Sequence, residues 1–156
     1  MKKNFFLFIL SLFLISCGSN YNTDFQPPEA GANPADVFPE EIAGLERMIS
    51  MMSIEDNSFI GVQSVYGDNN ILIEVIKAVN VQEADRYVND FAVPRIDAYS
   101  SHGRARVNGV WSGRGSNSAG EKIYAWQKQN WVYLITAKSS ELFDQAIQEF
   151  KYIDFQ

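Results

Sequence analysis

Residues 71–79, ILIEVIKAV, constrain the fold more than any other stretch. Side chains alternate across a strand, so Ile71, Ile73 and Val75 fall on one face and Leu72 and Ile76 on the other. A strand that is apolar on both sides has no face to give to water, and it belongs in the interior of a sheet. The preceding run, Phe59–Tyr66, is rich in β-branched and aromatic residues. Between the two runs, Gly67-Asp68-Asn69-Asn70 supplies residues that tolerate positive φ. The pair therefore reads as a β-hairpin.

The rest of the chain supplies the partners of that hairpin. Asn80 stands three residues before Glu83, which gives a helix start of the capping-box kind, and Ala84, Tyr87, Val88 and Phe91 follow in one apolar stripe. Pro94 ends or kinks this helix. Residues 104–112 read as a third strand with Ala105, Val107, Gly109 and Trp111 on one face, and residues 113–120, GRGSNSAG, as a flexible connection. Residues 122–127 and Trp131–Ala137 form a second hairpin around Lys128-Gln129. Ser139 caps a last helix carrying Leu142, Phe143, Ala146, Ile147 and Phe150 on one side. Upstream, residues 42–54 read as a short helix or turn followed by an edge strand, with Met48, Met51 and Met52 filling gaps in the core. The order ββαβββα predicts an α+β fold, an antiparallel sheet with helices packed on one face. The element order is similar to that of Mog1/PsbP/DcrB-like domains, a resemblance of pattern that implies no function.

The N-terminus carries a different message. Lys2 and Lys3 precede an apolar run from Phe5 to Ile15, broken only by Ser11. A spanning helix needs ~20 apolar residues, so this run reads as the core of a secretory signal. Leu14-Ile15-Ser16-Cys17 resembles the lipobox of bacterial lipoproteins. The resemblance implies cleavage before Cys17 and attachment of diacylglycerol to its thiol. Cys17 is the only cysteine, which rules out an internal disulfide and leaves a thiol in need of a modification. Gly18 stands where an aspartate commonly signals inner-membrane retention, so the resemblance implies the outer membrane, facing the periplasm. The expected organisation is a signal peptide over residues 1–16, the lipidated cysteine and a flexible tether over 17–37, and a single domain over 38–156. Pro27, Pro28 and Pro34 exclude an α-helix from the tether.

Charge narrows the function classes. Loss of residues 1–16 lowers the basic count from 13 to 11 against 19 acids, net −8. Such a chain has no footprint for nucleic acid. Nor does bulk attraction to anionic lipid hold it, so the acyl chains carry its attachment to the membrane. One histidine and a lipidated cysteine supply no transition-metal set, and no cofactor motif is complete. Residues 115–122, GSNSAGEK, miss a phosphate loop because Glu121 precedes Lys122 and Ile123 replaces the hydroxyl. His102, in Ser100-Ser101-His102-Gly103, suggests a triad with Asp97. However, triads are assembled from distant segments, and a solvated turn histidine is the simpler account. Arg104, Arg106 and Arg114 form the local basic cluster, suited to an anionic glycan or an acidic partner. Alternation puts Arg104 and Arg106 on one face, opposite Trp111, which also describes a solvated strand face.

The second hairpin offers the sharpest candidate. A loop of two or four residues sets Trp126 opposite Trp131 and Tyr124 opposite Tyr133. Flanked by Lys122 and Lys128, the four rings would make a platform for a sugar, peptide or protein partner. Alternatively, these aromatics face the helices and form core. The sequence as a whole points to a lipid-anchored envelope protein without catalysis, acting as a binding or interaction module. A small envelope hydrolase using His102 and an accessory subunit of an envelope complex are the alternatives.

Overall fold

The computed structural model describes residues 21–156, so the expected signal peptide over residues 1–16, Cys17 and residues 18–20 lie outside the described residues. The strands are β1 (Tyr21–Asn22), β2 (Glu41–Ile42), β3 (Leu45–Met51), β4 (Phe59–Tyr66), β5 (Ile71–Ala78), β6 (Ser101–Val107), β7 (Val110–Ser116), β8 (Lys122–Lys128), β9 (Trp131–Ala137) and β10 (Asp154–Phe155). Helix α1 (Val81–Tyr87) runs through a π turn (Val88–Ala92) into α2 (Val93–Asp97), and α3 (Ser140–Glu149) follows β9. Eight strands form one antiparallel sheet in the order β2-β3-β4-β5-β9-β8-β7-β6, and β1 pairs with β10 beside it. The fold is α+β.

β5 lies inside the sheet between β4 and β9, as its two apolar faces require. Gly67, Asp68 and Asn69 all take positive φ in the turn that delivers it. The Asn80 side chain accepts from Glu83 N at 2.8 Å, and Ser139 caps α3 through Leu142 N. Pro94 does not stop the second helical segment. The π turn before it gives Val93 N–H the Val88 carbonyl as acceptor, and the chain continues to Asp97.

Four expectations need correction. First, helices cover both faces of the sheet. α3 and the C-terminal Tyr152 and Ile153 cover one, joining Ile71, Ile73, Val75, Ile135 and the rings of β8 and β9. α1, the π turn and α2 cover the other, over Ile76, Trp111, Ile123, Ala125, Val132 and Leu134. Second, residues 104–112 are not one strand. Asn108 and Gly109 turn with positive φ, and β6 pairs back on β7 from Val107↔Val110 to Ser101↔Ser116. Gly113 and Gly115 of the supposed loop are strand residues, because α2 and the segment after it pack against their bare backbone, while Gly120 does lie in a turn, at positive φ. A Cβ on Gly115 would lie 2.7 Å from the Tyr99 ring, and one on Gly113 would lie 3.1 Å from Trp111.

Third, the tether is largely part of the domain. Beyond the β1–β10 pair, Pro34–Val37 forms a 3-10 turn with Pro34 and Val37 buried. Lys77 Nζ donates to the Ala30 and Ala32 carbonyls at 2.5 and 3.1 Å, and Lys128 reaches Asp24 at 2.5 Å. Fourth, Met48 and Met51 are 70% and 68% exposed on β3 and fill no core gap. Residues 42–54 do contain the expected turn, at Ala43-Gly44, and the edge strand.

The Gly115 contact makes a clean test. Gly115→Ala should lower unfolding free energy by about 1–3 kcal/mol, because Tyr99 and Ile123 must move. In Gly103→Ala the new methyl meets only Arg114 Nε, at 3.7 Å, and stability should stay within about 0.5 kcal/mol. Urea denaturation of the two variants distinguishes them.

Candidate binding cleft

Register decides which side chains meet. The second hairpin has a two-residue loop, Gln129-Asn130, with Lys128 opposite Trp131, Trp126 opposite Tyr133 and Tyr124 opposite Ile135. The pairing is thus shifted by two residues from Trp126↔Trp131, but a shift of two preserves the face. Tyr124, Trp126, Trp131 and Tyr133 do share one side. That side is the one α3 covers, and each ring is 1% exposed. Trp126 stacks on Tyr133 at 4.9 Å, Tyr133 on Tyr152 at 5.4 Å, and Phe150 meets Trp126 edge-on at 6.1 Å. The platform is therefore core. Desolvating four large rings stabilises the sheet most when a helix closes over them.

What remains open is a cleft of ≈ 290 Å³ at the far end of the same face. Ser101↔Ser116↔Lys122 and Gly103↔Arg114↔Tyr124 are cross-strand rows on β6, β7 and β8, so their side chains share this face. Tyr21 and Phe143 also line it, 6.1 Å apart between ring centroids, and Tyr21 packs edge-on to Tyr124 at 4.8 Å. Lys122 Nζ lies 5.7 Å from the Phe143 ring and 4.0 Å from Asp144 Oδ1. Burial and the nearby Asp144 charge hold the Tyr21 phenol protonated above its usual range. The Tyr124 hydroxyl is buried with no hydrogen-bond partner among the described residues. Guanidinium, ammonium and hydroxyl groups beside aromatic rings suit an anion with an apolar neighbour.

The basic cluster is divided by the Asn108-Gly109 turn. Arg106 pairs directly with Trp111 and so lies on the same side as that ring, not opposite it. On that side Arg104 Nε meets Asp97 at 3.4 Å and Arg106 meets Asp85 at 3.1 Å. Arg114 lies on the cleft side. His102 borders the cleft, but its imidazole is held on the α2 side, with Nδ1 2.8 Å from the Tyr99 carbonyl and Nε2 3.8 Å from Asp97. Ser100 donates its hydroxyl to the Ser116 carbonyl, not to the imidazole.

Tyr21 and Phe143 escape a sequence reading for different reasons. Tyr21 falls in the supposed tether, and Phe143 counts as one more core residue of α3. A second cluster was equally hidden. Glu74, in the middle of the apolar β5, is 4% exposed and receives Arg95 Nη1 at 2.6 Å from α2. Tyr87 and Tyr99 lie near it, and Tyr99 hydrogen-bonds Glu121. Burial pushes the Tyr87 phenol up from 10.0 to about 12, with the Glu74 charge adding to it and Arg95 opposing it. Burial, followed by the Glu121 bond, raises Tyr99. This cluster fixes α2 on the sheet.

Two outcomes follow from it. Arg95→Ala leaves a buried carboxylate unpaired and should cost about 3 kcal/mol or more, whereas Glu74→Leu leaves a half-exposed guanidinium that can reach water and should cost far less. Chemical denaturation of both variants reads the asymmetry. The second outcome concerns pH. The folded state holds the Tyr87 proton more tightly than the unfolded state, so that contribution is intact below about pH 10 and lost as pH rises through about 12. Melting curves across this range, alongside Tyr87→Phe, should show an alkaline decline that the variant reduces.

No protein-family model and no curated protein matches this chain. Its fold is similar to that of a GTP binding regulator from Thermotoga maritima, with a TM-score of 0.55 over 83% of this chain and 94% of that one. At 16% identity the likeness concerns the fold alone.

Proposed function

We propose that the protein is a lipid-anchored binding module of the bacterial envelope, held by acyl chains on Cys17 at the outer membrane and facing the periplasm. In this reading the cleft between β1, α3 and β6–β8 is its recognition site, and binding does not lead to chemistry. One observation carries the proposal: cationic Arg114 and Lys122 converge with Tyr21, Tyr124 and Phe143 on a cleft of ≈ 290 Å³ in an otherwise acidic chain. The lipobox-like Leu14-Ile15-Ser16-Cys17 supports the anchor. The ligand class is anionic, an acidic glycan or protein group among the candidates.

A second reading, an accessory subunit of an envelope complex, is favoured by β3. β2 covers only its first residues, and Met48, Met51 and the neighbouring Ile60 on β4 are exposed. Both readings share the anchor, which is directly measurable. Mass spectrometry of the protein from envelopes should find an N-terminus at Cys17 bearing acyl mass. Cys17→Ser should abolish that mass and move the protein out of the detergent-rich phase. Equal partitioning of variant and wild type would remove the anchor from the proposal.

A further inference from the structure

The described part of the chain begins close to the expected anchor. Three residues, Gly18 to Asn20, separate Cys17 from Tyr21, so four Cα–Cα steps join them, and an extended chain spans at most about 3.6 Å per step. The lipid-bearing residue therefore lies within about 14 Å of Tyr21, whatever path residues 17–20 take. Tyr21 is at once a strand residue paired to Phe155 and part of the cleft lining. A tether of twenty residues would let the domain stand far from the bilayer, whereas three intervening residues hold Tyr21 within that short reach. If acyl chains are on Cys17, this reach keeps the cleft close enough to meet the lipid headgroups, a layer about 5–8 Å thick on each side of the hydrocarbon.

We infer that the cleft receives the phosphate of a phospholipid headgroup, with Arg114 and Lys122 as its cationic contacts. This assignment rests on the anchored reading above. Phosphate oxygens take charge-assisted hydrogen bonds from guanidinium and ammonium groups, and the Ser101 and Ser116 hydroxyls share the same face. Tyr21 and Phe143 offer ring surface to the glycerol and the first methylenes, the role aromatic side chains take at membrane interfaces. The Tyr124 hydroxyl, buried without a partner among the described residues, adds a donor at the floor. Asp144 opposes the anion, but its contact to Lys122 is long, at 4.0 Å, and both groups are partly exposed. Net charge does not deliver the lipid, since the chain is acidic; proximity does. The anchor turns headgroup binding into a local event at high effective concentration.

The test uses the full-length protein purified in an alkyl maltoside detergent, which carries no phosphate. It is titrated separately with dihexanoyl-phosphatidylglycerol, with dihexanoyl-glycerol and with inorganic phosphate, and amide hydrogen exchange is followed. Protection of residues 114–124 by the phospholipid alone is expected. Arg114→Gln/Lys122→Gln should weaken it by about tenfold or more, while Arg104→Gln/Arg106→Gln, which removes the same charge from the opposite face, should not. Equal protection by inorganic phosphate would overturn the lipid assignment in favour of a free-phosphate site. Equal protection by dihexanoyl-glycerol would reduce the effect to apolar contact. No protection of residues 114–124 in the wild type would overturn the inference without reference to any variant's folding. The soluble lipid reaches the cleft with or without an anchor. An unacylated Cys17 with a responsive cleft therefore fails only the anchored reading, and an acylated Cys17 with a silent cleft fails only this inference.

Discussion

Everything in this structure depends on the fact that β5 and β9 have no side to show to water. Ile71, Ile73, Val75, Ile76, Val132, Leu134 and Ile135 are each fully buried, and they point alternately to both faces of the sheet. Two layers of cover are therefore obligatory. α3 supplies one through Phe143, Ala146, Ile147 and Phe150. The other comes from α1, the π turn and α2 through Ala84, Tyr87, Val88, Ala92 and Ile96. Neither helical layer is long enough to cover its face alone. Residues 21–42 complete the first, with Val37, Phe38 and Ile42 buried against it, and Trp111 and Phe59 fill out the second. At about 25 cal/mol per Å² of apolar surface, closing both faces is the dominant favourable term in folding.

That same constraint explains which parts of the fold were legible in the sequence. Periodicity located β4, β5, α1 and α3, because each carries an apolar pattern that a solvent-exposed segment would not keep. It could not say where the second helix layer goes, since a strand apolar on both faces asks for cover without naming its source. Gly113 and Gly115 misled for a physical reason. In isolation glycine signals freedom, yet here each marks a close approach, by Trp111 and Ile96 to one and Tyr99 to the other. Pro27, Pro28 and Pro34 misled similarly. They exclude α-helix but not packing, and a segment without regular structure can still be fixed by Lys77, Lys128 and a two-residue strand pair.

The aromatic residues show how far pattern alone carries. Alternation placed Tyr124, Trp126, Trp131 and Tyr133 on one face, and they share it. Whether a face of four rings is a platform or a core depends on what closes over it, and that is a long-range fact. α3 returns over the rings from beyond β9, and Phe150 and Tyr152 meet them after its last turn. Of the four, Tyr124 keeps a place in the cleft, beside Tyr21 of β1 and Phe143 of α3.

The composition of the cleft turns on the Asn108-Gly109 turn. Had residues 104–114 run as one strand, Arg104, Arg106 and Arg114 would project from the same side, two to ten positions apart with equal parity. Reversing the chain at two left-handed residues changes that parity. Arg104 and Arg106 then face α1 and α2, where Asp97 and Asp85 meet them, and Arg114 faces Lys122 and Tyr124 across β7 and β8. The cations are thereby assigned to different tasks. Two bind the helical layer to the edge of the sheet, and the third joins Lys122 beside Tyr21. A two-residue turn thus sets both the stability of one face and the charge of the other, linking the outermost hairpin of the sheet to the cations that line the cleft.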